Sequence, residues 1–222
     1  MNLRAQDVPG FTVAPPQAKR RAHNKAFEDT SAYRRCWQGA KQVKPLLELS
    51  SSKFETGSAL RSKQLSSTVA VAPSLATARR ELREAKSAIA SPNARRCLAR
   101  VFDLLGRQAQ AVPVGHASLT ITVGKLRFVP IPVAEAARGS DGGFGFSMTL
   151  DVRYVVTLRG RTVTYPTSLQ LDALGFVVGR ATVGLGSFGL GTAAPPALEA
   201  SAFSALVSRA RSAARAYPAV TR

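Results

Sequence analysis

The sequence predicts an α+β fold, a twisted antiparallel sheet with helices packed mainly on one face. From Phe144 to Leu158 the apolar residues alternate, with Phe146, Met148, Leu150, Val152, Tyr154 and Val156 on one parity and Ser147, Thr149, Asp151 and Arg153 between them. That is the period of a strand with one dry face. A second pattern, Leu75, Ala78, Leu82, Ala85 and Ile89, repeats at steps of three and four, as an amphipathic helix requires. The chain of 222 residues is 45% hydrophobic, enough for one core, and it shows neither an internal repeat nor a second core.

Taken in order, residues 1–22 read as an extended basic arm, because Pro9-Gly10 and Pro15-Pro16 interrupt any helix. Phe11 and Val13 are its expected anchors. Residues 23–222 read as a single α+β domain. Lys25 to Gln38 carries Phe27, Tyr33, Cys36 and Trp37 among charges, which predicts a short helix bounded by Gly39. Phe54 to Ser62 and Leu65 to Ala72 predict a hairpin with Val69 and Val71 inward. Pro73 or Ser74 opens the helix of the Leu75 stripe, whose wet side carries Arg79, Arg80, Arg83 and Lys86 with Glu81 and Glu84 as intrahelical partners. Ser91 suits an N-cap and Pro92 the first turn of the next helix, with Cys97, Leu98, Val101, Phe102 and Leu105 on its apolar side and Gly106 at its end.

The strand from Leu119 to Val129 changes parity between Val123 and Leu126, which predicts a bulge at Gly124-Lys125. After the 134–143 connection comes a three-strand meander. Gly160 serves the first turn; Val163, Tyr165, Leu169 and Leu171 then point inward, and a second turn is expected around Asp172 to Gly175 before a strand from Phe176 to Leu185. The last helix, from Pro196 to about Tyr217, has Phe203, Leu206, Ala210, Ala213 and Tyr217 on one stripe, with Arg209, Arg211 and Arg215 toward its C-terminus. It is expected to cover the meander's dry face.

Motifs for chemistry are missing. Ser140-Asp141-Gly142-Gly143 lacks the spacing and lysine of a phosphate loop, and Gly184, Gly186, Gly189 and Gly191 lack a dinucleotide fingerprint. His23 and His116 have no carboxylate or cysteine close in sequence, and there is no nucleophile elbow. Asp151 and Asp172 share the polar parity with Arg153 and Arg159, which fits a surface ion-pair network better than an acid–base pair. Tyr154 and Tyr165 fall on the apolar parity and read as core aromatics. The sequence thus predicts a protein that is not an enzyme, with no catalytic residue, metal or cofactor.

Thirty-one basic and 13 acidic residues give a net charge of +18, so nonspecific polyanion binding is expected. The basic doublets are scattered and no nucleic-acid-binding motif accompanies them; a basic nucleic-acid-binding module is the alternative function. Cys36 and Cys97 are the only cysteines, without metal-ligand spacing. They form one disulfide or stand as two buried thiols, and the polar N-terminal third favours a staple. The first ten residues lack the apolar core of a signal peptide, and no run is long enough to cross a bilayer. An intracellular protein, or one whose export segment is absent from this chain, fits both facts.

Several short stretches in order resemble actinobacterial extracytoplasmic sensor-like domains, typified by the extracellular domain of PknH-type kinases and related lipoproteins. These are Asp7-Val8-Pro9-Gly10-Phe11, where the family has a Trp in place of Phe11; Ser66-Ser67-Thr68-Val69-Ala70-Val71 followed by an alanine-rich helix; Ala94-Arg95-Arg96-Cys97-Leu98; Val177-Val178-Gly179-Arg180-Ala181; and the closing basic helix. The resemblance implies an exported, lipid-anchored or membrane-tethered, non-catalytic binding domain, with a Cys36–Cys97 disulfide where such domains often carry two. An envelope lipid or anionic glycan is then the expected partner, and Thr149, Arg153, Thr164 and Gln170 on the polar sheet face are the candidate ligand contacts.

Overall fold

The computed structural model describes residues 1–15, 36, 43–58, 61–107, 112–114 and 117–217. Within them run β1 (Thr12–Val13), β2 (Leu47–Ser50), β3 (Phe54–Ser58), β4 (Arg61–Val71), α1 (Leu75–Ala90), α2 (Pro92–Arg107), β5 (Val112–Val114), β6 (Ala117–Pro130), β7 (Gly142–Leu158), β8 (Arg161–Val178), β9 (Ala181–Leu190) and α3 (Pro196–Ala216). The strands form one antiparallel sheet in the order β1-β3-β4-β9-β8-β7-β6-β5, with β2 beside the C-terminal half of β4. The α+β class is as the sequence predicts.

Local chemistry sets the boundaries. Ser74 caps α1 by accepting the Thr77 amide at 3.1 Å, and the Ser91 hydroxyl accepts the Ala94 amide at 3.4 Å ahead of Pro92. β6 slips register between Val123 and Leu126, which is the predicted bulge. Arg159 and Gly160 both take positive φ in the two-residue turn between β7 and β8, a conformation that matches the twist of the flanking strands. The predicted turn at Asp172 to Gly175 does not exist. β8 runs through it to Val178, and the chain reverses at Gly179 instead. The strand there is buried on both faces, so its alternation disappears and the run resembles a break.

Among the described residues, helices cover both faces of the sheet, α1 and α2 on one and α3 on the other. The dry parity with Phe146 and Met148 meets Ile89 of α1 and Leu98 of α2, not the final helix. Phe128 and Phe146 stack there with ring centroids 5.2 Å apart. α3 takes the opposite face, where Ala202, Phe203, Leu206, Val207 and Ala210 pack with Leu174, Phe176, Val183 and Leu185. Phe203 meets Phe176 edge to face at 5.3 Å. Tyr217, predicted on that stripe, lies past the helix end and is 67% exposed; Val207, outside the predicted stripe, is buried.

The N-terminal residues dock on the same layer. Leu3 and Val8 are buried in the α3 core, Phe11 packs against it, and Val13 in β1 is exposed. The Asp7 carboxylate accepts the Arg4 amide at 2.7 Å and the Arg209 guanidinium of α3 at 2.6 Å, so the Asp7-Val8-Pro9-Gly10-Phe11 stretch clasps the last helix. Cys36 is bonded to Cys97 of α2, closing 61 residues with a Cα separation of 5.3 Å. Apart from Cys36, the predicted 25–38 helix lies outside the described residues, as do His23 and His116.

Breaking the clasp has a calculable cost. The Asp7 and Arg209 side chains are 6% and 19% exposed, so Asp7→Ala strands a mostly buried cation and should lower the unfolding free energy by about 3 kcal/mol. Asp7→Ala with Arg209→Met should recover most of that loss; urea titrations of both variants read the difference. By the same measurement, replacing Cys36 and Cys97 with serine should cost about 4 kcal/mol, the chain-entropy value for so long a closure. Equal stability with and without the bond would show that it staples nothing.

Candidate functional site

Between α1 and the sheet, facing residues are small. Ala85 and Ala88 of α1 stand over Ala70 of β4 and Thr182 of β9, and among the described residues they leave a cleft of about 520 Å³. Its floor is apolar, formed by Leu82, Phe144 and the fully buried Val177. Phe144 can lie flat there only because its cross-strand partner is Gly175, where a Cβ would overlap the ring. The rim carries three carboxylates, Glu48 of β2 and Glu81 and Glu84 of α1. Burial pushes the Glu81 carboxyl above its ordinary value, against the Val43 backbone N–H and the Arg80 charge, which favour the anion. Glu84 holds Arg80 at 3.8 Å through one oxygen and buries the other, which has no partner among the described residues. A cleft of this size, with an apolar floor and a few polar groups at its edge, suits a small amphiphilic molecule.

Sequence reasoning treated Glu81 and Glu84 only as partners of the basic helix face. The Arg80–Glu84 pair is present, but Glu81 turns to the cleft. The available signal was the pair of alanines at 85 and 88, small residues one turn apart beside the apolar stripe.

The candidate contacts Thr149, Arg153, Thr164 and Gln170 all project from the opposite face, beyond the start of α3. Thr149 and Gln170 are directly opposed and half-buried; Arg153 faces Pro166, Thr164 faces Val155, and both are exposed. They form a ladder along the β7–β8 hairpin rather than a ring around one point. Asp151 on this face pairs with Arg127 at 3.0 Å, not with Arg153 or Arg159.

Asp172 departs further from its predicted place in a surface network. It is 5% exposed, accepts a hydrogen bond from Gln170 at 2.9 Å, and lies with Ser187 against Glu199 in the first turn of α3. Asp172 and Glu199 each retain a buried oxygen without a hydrogen-bond partner among the described residues. Burial is the main cause that moves the Glu199 carboxyl from 4.5 to about 7; the Ser187 hydroxyl opposes it, and the Asp172 charge and hydrogen bond reinforce it. Tyr165, predicted as a core aromatic, is 49% exposed. The Ser140–Gly143 loop is a structural turn, in which the Asp141 carboxylate accepts the Gly179 amide at 2.7 Å.

No family model matches the chain, and no curated protein matches it. The fold is distantly similar to the crystal structure of the extracellular domain of PknH from Mycobacterium tuberculosis, with 10% sequence identity and a TM-score of 0.32 over 90% of this chain and 78% of that chain.

The buried acid has a pH signature. Between about pH 4.5 and 7 the folded protein holds a proton at Glu199 that the unfolded chain has released, so stability falls as pH rises through this window and levels off above it. The full effect is on the order of 3 kcal/mol. Glu199→Gln should remove that slope and stabilise the protein at pH 8 relative to the parent, with little change at pH 4; unfolding curves at the two pH values test it. A variant with the parent's slope would place the titration elsewhere.

Proposed function

We propose that this chain is a non-catalytic extracytoplasmic binding domain whose cleft between α1 and the sheet holds an amphiphilic envelope component. The observation that carries the reading is the cleft itself, with Leu82, Phe144 and Val177 below and carboxylates at the rim. An apolar body gains by leaving water against that floor, while Glu48, Glu81 and Glu84 accept hydrogen bonds from a donor or cationic end. Anionic ligands are disfavoured at such a rim and would turn instead to Thr149, Arg153, Thr164 and Gln170 on the opposite face. The Cys36–Cys97 disulfide belongs to an oxidising compartment, and the Asp7–Phe11 stretch resembles extracytoplasmic domains. Among the described residues no helix is long and apolar enough to cross a membrane.

Ala85→Phe, with Ala88→Phe as an independent second variant, fills the cleft from its α1 wall. Protein purified from a native envelope extract should carry an amphiphile detectable by mass spectrometry after solvent extraction. Each filling variant should lose at least tenfold of it, a change of about 1.4 kcal/mol in binding, while Arg153→Ala keeps it. Recovery of no envelope component, or equal recovery by the filled variants, counts against the reading. Loss in Arg153→Ala alone moves the site to the hairpin ladder.

A further inference from the structure

At its outer end the β7–β8 hairpin runs past β9, while β6 stays paired with β7 up to Leu158. β9 pairs with β8 only from Leu169 to Val178, so Arg161 to Ser168 of β8 have β7 as their only partner strand among the described residues. One face of this outer end exposes apolar side chains. Leu158, Val163 and Tyr165 share one face and are 48%, 48% and 49% exposed. The charge around them has one sign. No acidic residue lies between Asp151 and Asp172, whereas Arg153, Arg159 and Arg161 fall within that stretch. Arg61 joins them from β4, lining a hollow of about 400 Å³ with the cross-strand pair Tyr154 and Tyr165. Among the described residues these four arginines make no ion pair, and Asp151, the acid that bounds the stretch, is held by Arg127.

We propose that this hairpin is a docking finger for an anionic lipid membrane. The order along it is that of a bilayer interface. Leu158 and Val163 lie at the outermost rungs beside the Arg159-Gly160 turn, and the tyrosines stand one or two rungs behind, where amphipathic rings partition to the headgroup level. From Leu158 to Tyr154 the strand rises roughly 13 Å, and interfacial elements bury their apolar face about 5–10 Å deep. Arg159 and Arg161 then meet lipid phosphates, which a guanidinium binds with paired hydrogen bonds. Unpaired arginines beside exposed apolar side chains are what separate this surface from an ordinary basic patch. The finger is distinct from the cleft and stands whether or not the cleft takes a ligand.

The test is flotation with phosphatidylcholine vesicles, with and without phosphatidylglycerol, at about 0.15 M salt. The parent should bind only the anionic vesicles. Arg159→Gln with Arg161→Gln should weaken that binding roughly 25-fold, about fivefold for each surface arginine, and Leu158→Ser with Val163→Ser roughly tenfold. The control is Leu47→Ser with Leu49→Ser, which removes exposed leucines from β2 and should change nothing. Val163→Trp supplies a gain of signal: its emission should shift to the blue and be quenched by brominated phosphatidylglycerol, beyond any change in the parent, whose single tryptophan is Trp37. Far-ultraviolet dichroism of each variant guards against misfolding. No binding by the parent, equal binding to neutral vesicles, indifference to the tip substitutions, an equal loss in the β2 control or an unshifted Val163→Trp emission each overturns the finger. The tip variants should still extract the cleft's amphiphile, so the two readings fail separately.

Discussion

The fold depends on burying the inner half of β8 on both sides. Phe176 and Val177 are adjacent and fully buried, and because successive strand residues point to opposite faces, one serves each helical layer. Phe176 meets Phe203 of α3, while Val177 joins Ala78 and Leu82 of α1. Each such side chain is worth about 1.5–3 kcal/mol when removed from water, and together they fix the two layers against the same strand. Gly175 belongs to this arrangement: the adjacent Phe144 ring occupies the space a side chain would need.

Double burial also makes any polar residue on that strand expensive. Asp172 sits where the apolar run ends, and α3 begins over it with Glu199 in its first turn. A helix N-terminus favours a carboxylate, but withdrawal from water and a second carboxyl alongside outweigh that here. Ten residues on, roughly 15 Å along the helix, Arg209 is answered by Asp7. The two ends of α3 are therefore unequal: one is held by a paired charge, and the other carries acids whose oxygens are incompletely satisfied. This makes the seating of α3 sensitive to protonation at its N-terminal end and to the integrity of the N-terminal clasp further along.

What the sequence made legible follows from the same physics. Wherever one face is dry and the other wet, periodicity is sufficient: the Leu75 stripe, the Phe146–Val152 strand and the bulge at Gly124-Lys125 could be read directly, and local chemistry gave the Ser91 cap, while the opening of α1 stayed between Pro73 and Ser74. Where both faces are dry, from Ala173 to Val178, alternation vanishes, and a continuous strand looked like a turn. That error put α3 on the face that α1 and α2 occupy, since Leu174 and Phe176 were not seen to form a second apolar surface. Residues on the outer rungs were misjudged for the converse reason. Tyr165 has the parity of a core residue, but parity cannot say how far along a strand the covering layer extends. The cleft was harder still to read, because it arises from small residues on elements distant in sequence, Ala85, Ala70 and Thr182, whose opposition only the register reveals.

The unequal lengths of the elements divide the molecule. β7 and β8 have 17 and 18 residues against 10 in β9, so at about 3.4 Å per residue the hairpin runs well past its neighbour. α3, with 21 residues, spans only about 30 Å at a helical rise and covers the other end. The acids follow the same division. Of 13 in the chain, Glu48, Glu81 and Glu84 line the cleft, Asp172 and Glu199 are buried under α3, and Asp7 is committed to Arg209. Asp141 and Asp151 are held by Arg79 and Arg127. Among the described residues few negative charges are left to oppose the arginines on the hairpin, and Asp151, two residues from Arg153, is already held by Arg127. The net charge of +18 therefore does not describe a uniform coat. It combines an acid-rimmed cleft with a stretch, residues 152–171, that carries three arginines and no acid.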